Sequence, residues 1–331
     1  MDHDLKSIRI QRSLPGIKDI APGKCNLPDR VINIDSQGRV FVCMCEAWVP
    51  WSIGHLLEFN SLEDVWQHPT TREIRNSQLA GEYKYCDVRY CGVERLPVSD
   101  YKHIELYLGL DDSCQLACPS CRKEQQFEKD FDNKKHWADH IASMIKNYQG
   151  MMPVNVLIGA HGDPLASNFY RYVMSQLADL PVLFQLRTNG LLLKKHLAEL
   201  CILPKLRELE ISIDAADATT YEQVRWPGKW SSLIENLDYL ADVRKEKKFK
   251  VVANFVVQAV NYKEMLDFVQ LCDKYDMVPD FTLLQDWNTF DHKQNAVHYR
   301  THVDYQDFCR LVQHPQIKRY IGTNFDYWIK T

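Results

Sequence analysis

Asp111-Asp112-Ser113-Cys114-Gln115-Leu116-Ala117-Cys118-Pro119-Ser120-Cys121 sets three thiols on one short loop, three residues apart and then two, directly after an apolar run. Three thiolates so close in the chain can grip a metal centre. They cannot close a four-ligand site, so the set reads either as a zinc site awaiting a distant ligand or as an iron-sulfur cluster with one iron left open. Spacing alone does not choose between these, and inert cysteines are a further reading.

Upstream of the loop, residues 1–24 carry Pro15, Gly16, Pro22 and Gly23 with little periodicity and read as a lead-in segment. After Cys25 comes an alternating run from Val31 to Asp35, a turn at Ser36-Gln37-Gly38, and a second run from Arg39 to Cys45. This predicts a hairpin, with the period of two placing Cys43 and Cys45 on one strand face. Ser61 with Asp64 three positions later predicts a capped helix start, and Cys86 and Cys91 close the segment before Pro97. Five cysteines between residues 25 and 91 suffice for a four-thiolate site with one to spare. A zinc knuckle would accept the same donors.

Downstream, the pattern changes to strand and helix signals in alternation. Apolar runs at 103–110, 154–158, 180–186, 206–214, 249–257 and 281–284 are separated by segments long enough for one helix each, such as 136–148. That is the pattern of parallel βαβ units. A closed eight-unit barrel needs about 250 residues, more than this stretch offers, so an open barrel of six units fits better.

In parallel barrels reactive groups gather at the carboxyl ends of the strands, and here the runs end in polar residues. Gly159-Ala160-His161-Gly162-Asp163-Pro164 follows the second run and Arg187-Thr188-Asn189-Gly190 the third. Taken alone, these are turn signals. Alternation in the fourth run puts Ser212 and Asp214 on one face, placed to hydrogen-bond a ribose. Asn254 is an amide inside the apolar fifth run and needs a partner if buried.

The 331 residues are 45% hydrophobic and 25% charged, the composition of a soluble globular protein. No apolar run is long enough to span a bilayer and no secretory signal opens the chain, so a cytoplasmic location is expected. With 40 basic against 44 acidic residues, a net −4, there is no electrostatic footprint for nucleic acid. Eight of the eleven cysteines fall before residue 122, and in a reducing compartment such clustering points to metal rather than cross-links. Cys201, Cys272 and Cys309 read as isolated small hydrophobes.

Cys114-x3-Cys118-x2-Cys121 resembles the signature of the radical S-adenosylmethionine (radical SAM) superfamily. Gly162-Asp163-Pro164, with His161 and Asp163 departing from Gly-Gly-Glu-Pro, the Thr188-Asn189-Gly190 turn, and Ser212-Ile213-Asp214 followed by Arg225 are similar to its later motifs. The resemblance implies a partial (β/α)6 barrel over 98–290, in which Cys114, Cys118 and Cys121 hold a 4Fe-4S cluster whose open iron takes SAM. It further implies SAM contacts from Gly162, Asp163, Asn189, Ser212, Asp214, Arg225 and Asn254, with Arg225 facing the carboxylate, a task suited to a planar guanidinium. Ser120 stands where many members carry an aromatic. Residues 25–97 resemble the SPASM/Twitch auxiliary-cluster domain, a small cysteine-rich α+β hairpin domain, here preceding the barrel. That likeness implies one auxiliary iron-sulfur cluster, expected as 4Fe-4S, on Cys25, Cys43, Cys86 and Cys91, with Cys45 as substitute.

What the resemblance implies is reductive cleavage of SAM to a 5′-deoxyadenosyl radical that abstracts a substrate hydrogen, in an oxidation or rearrangement. The auxiliary cluster would assist electron transfer, and a flavodoxin- or ferredoxin-type protein would be the reductant. A small molecule of sugar or aminocyclitol type is the expected substrate, because no separate leader-peptide-binding domain is visible. A peptide- or protein-modifying maturase is the alternative, and a non-catalytic iron-sulfur or zinc binding module is the reading of another class. Residues 291–331, rich in His and Tyr and including Trp328, read as a cap or packing segment.

Overall fold

The computed structural model describes residues 25–45, 49–86, 103–129, 131–285 and 289–321. They fall into two compact units. The first comprises the described parts of Met1–Leu110 with Asp132–His161 and Asp179–Leu183. In it, β1 (Val31–Ile34) and β2 (Arg39–Phe41) form the expected antiparallel hairpin, with Asn33 opposite Phe41. Asp35 closes the turn by accepting from the backbone N–H groups of Gln37 at 3.0 Å and Arg39 at 2.9 Å. Gly38 sits at φ 75°, in the left-handed region that favours glycine, and a Cβ there would also meet the His55 imidazole.

One expectation about the hairpin is corrected. β2 stops at Phe41 rather than running to Cys45, because its partners end there: β1 pairs it through Val40 and Phe41, and β3 (Gly54–His55) through Arg39 and Val40. Cys43 and Cys45 therefore lie beyond the strand, where the period of two no longer fixes their faces.

α1 (Leu62–Gln67) begins with the expected capping box, the Ser61 hydroxyl accepting from Asp64 N–H and the Asp64 carboxylate accepting from Ser61 N–H. α2 (Pro69–Leu79) follows. β4 (Ile104–Leu108) and β5 (Val154–Ile158) pair in parallel over their whole length, joined through α3 (Lys135–Asn147), which buries Ala138, Ile141, Met144 and Ile145. β4 also pairs in parallel with β1, from Val31↔Glu105 to Ile34↔Leu108, so the hairpin extends the edge of the β4–β5 pair.

The second unit comprises the described parts of Asp111–Phe131, Gly162–Ala178 and Phe184–Thr331. In chain order it contains α4 (Asn168–Leu177), β6 (Val182–Thr188, from Phe184 onward), β7 (Leu206–Ser212), α5 (Ala218–Val224) and α6 (Trp230–Glu246). β8 (Lys250–Val257), α7 (Met265–Lys274), β9 (Val278–Leu283) and α8 (Tyr305–Val312) complete it. β6 pairs in parallel with β7, β7 with β8, and β8 with β9. β8 is a nearly continuous buried run, as a parallel strand covered on both faces should be, whereas β7 alternates, burying Leu206, Leu209 and Ile211 between the half-buried Glu208 and Glu210. Phe255 is the hub of the core, its ring centroid 4.8 Å from that of Phe268 and 5.5 Å from that of Phe281. β9 begins three residues before the expected Phe281, taking in Pro279 and Asp280, residues tolerated because this strand ends the order.

All six anticipated parallel strands are present, and the class is α/β. Among the described residues no helix is long and apolar enough to cross a membrane.

Candidate active site

The cysteine loop lies in the second unit and is held by backbone bonds from several segments. Cys114 exchanges backbone hydrogen bonds with Gln126, Ala117 N–H donates to the Trp226 carbonyl at 2.8 Å, and Asp163 N–H donates to the Ser113 carbonyl at 2.7 Å. At its start the Asp111 carboxylate accepts from Ser113 N–H at 2.6 Å and from the Ser167 hydroxyl at 2.5 Å. A buried carboxylate anchors the entry to the loop. Cys118 is buried, Cys114 half-buried and Cys121 exposed. Burial pushes the Cys114 thiol up to about 11, with the Asp163 charge acting in the same direction. Cys118 is also raised by burial, which the Arg225 cation opposes.

Gly162 and Asp163 bind the neighbouring turns together. Gly162 sits at φ 63°, where a Cβ would come within 2.5 Å of the Asp111 carbonyl oxygen and 2.6 Å of that of Ser113. Those are backbone atoms of the cysteine loop, so no side chain fits. One Asp163 oxygen accepts from Leu165 and Ala166 N–H, and the other from the Thr188 hydroxyl at 2.8 Å and Asn189 N–H at 2.7 Å. Burial pushes this carboxyl above the usual range while the four donors pull against it. The Asn189 amide nitrogen faces the Cys114 sulfur at 3.8 Å, and its oxygen accepts from the Gln115 side chain at 2.9 Å.

The third group gathers after β7. Asp214 lies two residues past the end of β7 at φ 62°, where strand alternation no longer fixes its face relative to Ser212. One Asp214 oxygen accepts from Val256 N–H at 2.7 Å and the other pairs with the Arg225 guanidinium at 2.6 Å. Arg225, the residue that ends α5, also reaches the Cys118 sulfur at 3.8 Å. Burial works against its charge, but Asp214 outweighs that, and Arg225 stays a cation. Asn254 has the partners its burial demands, Asp280 at 3.2 Å and Thr282 at 3.4 Å on β9. Ser212 is half-buried and in register with Asn254. The unit thus brings Cys114, Cys118, Gly162, Asp163, Asn189, Asp214 and Arg225 into one network, while the Asn254 side chain is directed to β9.

Sequence reading missed three contributors. Gln115 holds Asn189, Ser167 holds Asp111, and Tyr221 lies fully buried one helical turn before Arg225. Only Tyr221 left a signal, the spacing of four that puts it on the Arg225 face.

The second set of thiols belongs to the first unit. Cys43 is buried, while Cys25, Cys45 and Cys86 are half-buried; Cys91 and the lead-in segment lie outside the described residues, as does Trp328. Burial pushes Cys25 up to about 11, and a Cys86 thiolate adds to the shift. Gln78 donates to the Cys86 sulfur at 3.5 Å. None of the ten described cysteines is in a disulfide.

The radical SAM superfamily model matches residues 112–272, and an iron-sulfur cluster-binding SPASM domain matches residues 25–92. The chain therefore carries a radical SAM domain over residues 112–272. The SPASM domain stands at its N-terminal end, and the two matches imply a 4Fe-4S cluster with SAM and auxiliary iron-sulfur binding. A GTP 3′,8-cyclase of Staphylococcus aureus is 29% identical over 155 residues, covering 45% of this chain and 45% of the relative. The chain thus matches rather less than half the length of such curated relatives. Among solved structures, Streptococcus suis SuiB bound to S-adenosylmethionine aligns with TM-score 0.44 and 16% identity over 78% of this chain and 61% of SuiB. TYW1 with a lysine-pyruvate adduct aligns with TM-score 0.42 and 17% identity over 64% and 74%.

The donors suit the implied cofactors. Among the described residues no three His, Cys, Asp or Glu side chains stand close enough to hold a single metal ion. The loop offers three soft thiols within eight residues of chain, Cys118 buried, Cys114 half-buried and Cys121 exposed. An iron-sulfur cluster, larger than one ion, accepts such a set and leaves one iron open. Two buried donors beside the loop, Arg225 Nε and the Tyr221 hydroxyl, have no partner within the protein, as expected of a polar ligand site.

Proposed function

We propose that this chain is a radical SAM enzyme in which Cys114, Cys118 and Cys121 hold the SAM cluster. When bound, cluster and SAM supply a 5′-deoxyadenosyl radical for abstraction of a substrate hydrogen. The observation that carries this reading is the Arg225 guanidinium, set between Asp214 at 2.6 Å and the Cys118 sulfur at 3.8 Å on a loop of three thiols. A buried cation there fixes an amino-acid carboxylate beside the cluster and balances thiolate charge. Asn189, beside Cys114, and Ser212 offer polar contacts to the rest of SAM. Asp163, with all its acceptor capacity directed to four protein donors, shapes the pocket by joining two turns. Asp214 orients Arg225, and Asn254 supports the strand end.

In this reading Cys25, Cys43, Cys86 and Cys91, with Cys45 as substitute, hold the auxiliary cluster, which relays an electron during an oxidation or rearrangement. The substrate is a small molecule of sugar or aminocyclitol type, and a flavodoxin- or ferredoxin-type protein is the reductant. Similarity to a GTP 3′,8-cyclase over part of the chain favours a small molecule. A peptide substrate, which the resemblance to SPASM domains implies, is the second reading.

Anaerobic reconstitution with SAM and dithionite should yield 5′-deoxyadenosine. A metabolite and peptide screen for deuterium transfer into that product then separates the two substrate classes. Failure of the reconstituted protein to cleave SAM would favour a binding module instead.

A further inference from the structure

Tyr221 is among the largest fully buried side chains of the protein, and its hydroxyl has no hydrogen-bond partner. A hydroxyl buried in that state destabilises the folded protein, so its persistence asks for a partner that arrives from outside. The ring is fixed by packing: its centroid lies 5.5 Å from that of Trp230 in an edge contact, and a Cβ on Gly228 would meet its Cε1 at 3.3 Å. The charges that act on the hydroxyl are those of Arg225, Cys118, Asp214 and Asp163, all groups of the SAM site.

Arg225 stands four residues later, and its backbone N–H donates to the Tyr221 carbonyl at 2.8 Å. Residues four apart share a helix face. Its guanidinium directs one terminal nitrogen to Asp214 and the other towards Cys118, while the buried Nε has no partner. One turn of α5 therefore presents two buried, unpaired donors to the same site. Both lack an acceptor, and a carboxylate has two oxygens to offer.

We propose that Tyr221 is a SAM-binding residue, its hydroxyl donating to one carboxylate oxygen of SAM while Arg225 Nε donates to the other. The inference rests on the reading of this site as a SAM site and adds to it a neutral donor one turn before the cation. A charged acceptor makes such a bond stronger than a neutral pair. Removing the hydroxyl should then weaken ligands that carry the carboxylate and spare those that lack it.

The test is anaerobic titration of the reconstituted full chain with SAM and with decarboxylated SAM, comparing the wild type with Tyr221→Phe. The variant should bind SAM about tenfold more weakly and decarboxylated SAM within about twofold of the wild type. Its SAM-free form should contain the same iron and melt no lower than the wild type, because an unsatisfied buried hydroxyl has been removed. Unchanged SAM affinity in Tyr221→Phe, or an equal loss for both ligands, would overturn the proposal while leaving the SAM site in place. Failure of the wild type to bind SAM would overturn the site reading itself.

Discussion

The two sets of thiols are built in opposite ways. Cys114, Cys118 and Cys121 lie within eight consecutive residues, and backbone bonds to Gln126, Trp226 and Asp163 set the course of their loop. Cys25, Cys43, Cys45 and Cys86 come from well-separated parts of the chain, with Cys43 and Cys45 beyond the end of β2. A contiguous loop can keep its shape without metal. A set collected across a small unit depends more on the metal for its order, since binding energy and folding energy are then shared.

Emptying the second set should have the largest effect. If the auxiliary cluster handles electrons, Cys86→Ala with Cys91→Ala should leave 5′-deoxyadenosine formation intact and abolish product. If it serves structure alone, the same variant should be insoluble or lose both activities together. Separate assays of the nucleoside and the product distinguish the two, and normal product from a soluble variant contradicts both.

Within the loop region the next largest effect belongs to Arg225. Arg225→Ala leaves Asp214 buried without its cation, a loss of about 3–5 kcal/mol in stability, and should weaken SAM binding about a hundredfold. Arg225→Lys should recover part of the affinity, because a point charge cannot reproduce a planar pair. Both should retain iron. Unchanged affinity in the Ala variant would remove Arg225 from the site.

Smaller effects distinguish the two regions through their glycines. Gly162→Ala and Gly38→Ala both force a side chain into the left-handed region, at about 1–2 kcal/mol each. The added methyl at 162 meets two backbone oxygens of the cysteine loop, whereas at 38 it meets the His55 ring, which can swing aside. Thermal melts should therefore show the larger loss for Gly162→Ala, and equal losses would contradict the rigid frame assigned to the loop.

Much of this was legible in the sequence because it rests on local rules. The six strands, the Gly38 turn and the Ser61 capping box each follow from short-range pattern. Where β2 ends was not legible, since that depends on how far β1 and β3 reach alongside it. Nor was the parallel pairing of β1 with β4, a contact between segments some seventy residues apart. At the site, motif order pointed to Asp163, Asp214 and Arg225, but not to the division of labour among them. Asp163 carries a shorter carboxylate than the family motif, and here that group is engaged by Thr188, Asn189, Leu165 and Ala166. Asp214 lies past the end of β7 at a positive φ, which alternation cannot foresee.

If two independent thiol sets serve two clusters, iron content and SAM cleavage should separate in a variant carrying Cys114→Ala, Cys118→Ala and Cys121→Ala. That variant should fold, form no 5′-deoxyadenosine and keep the iron of the N-terminal set after anaerobic reconstitution. Loss of all its iron, or continued cleavage of SAM, would show that the two sets are not independent.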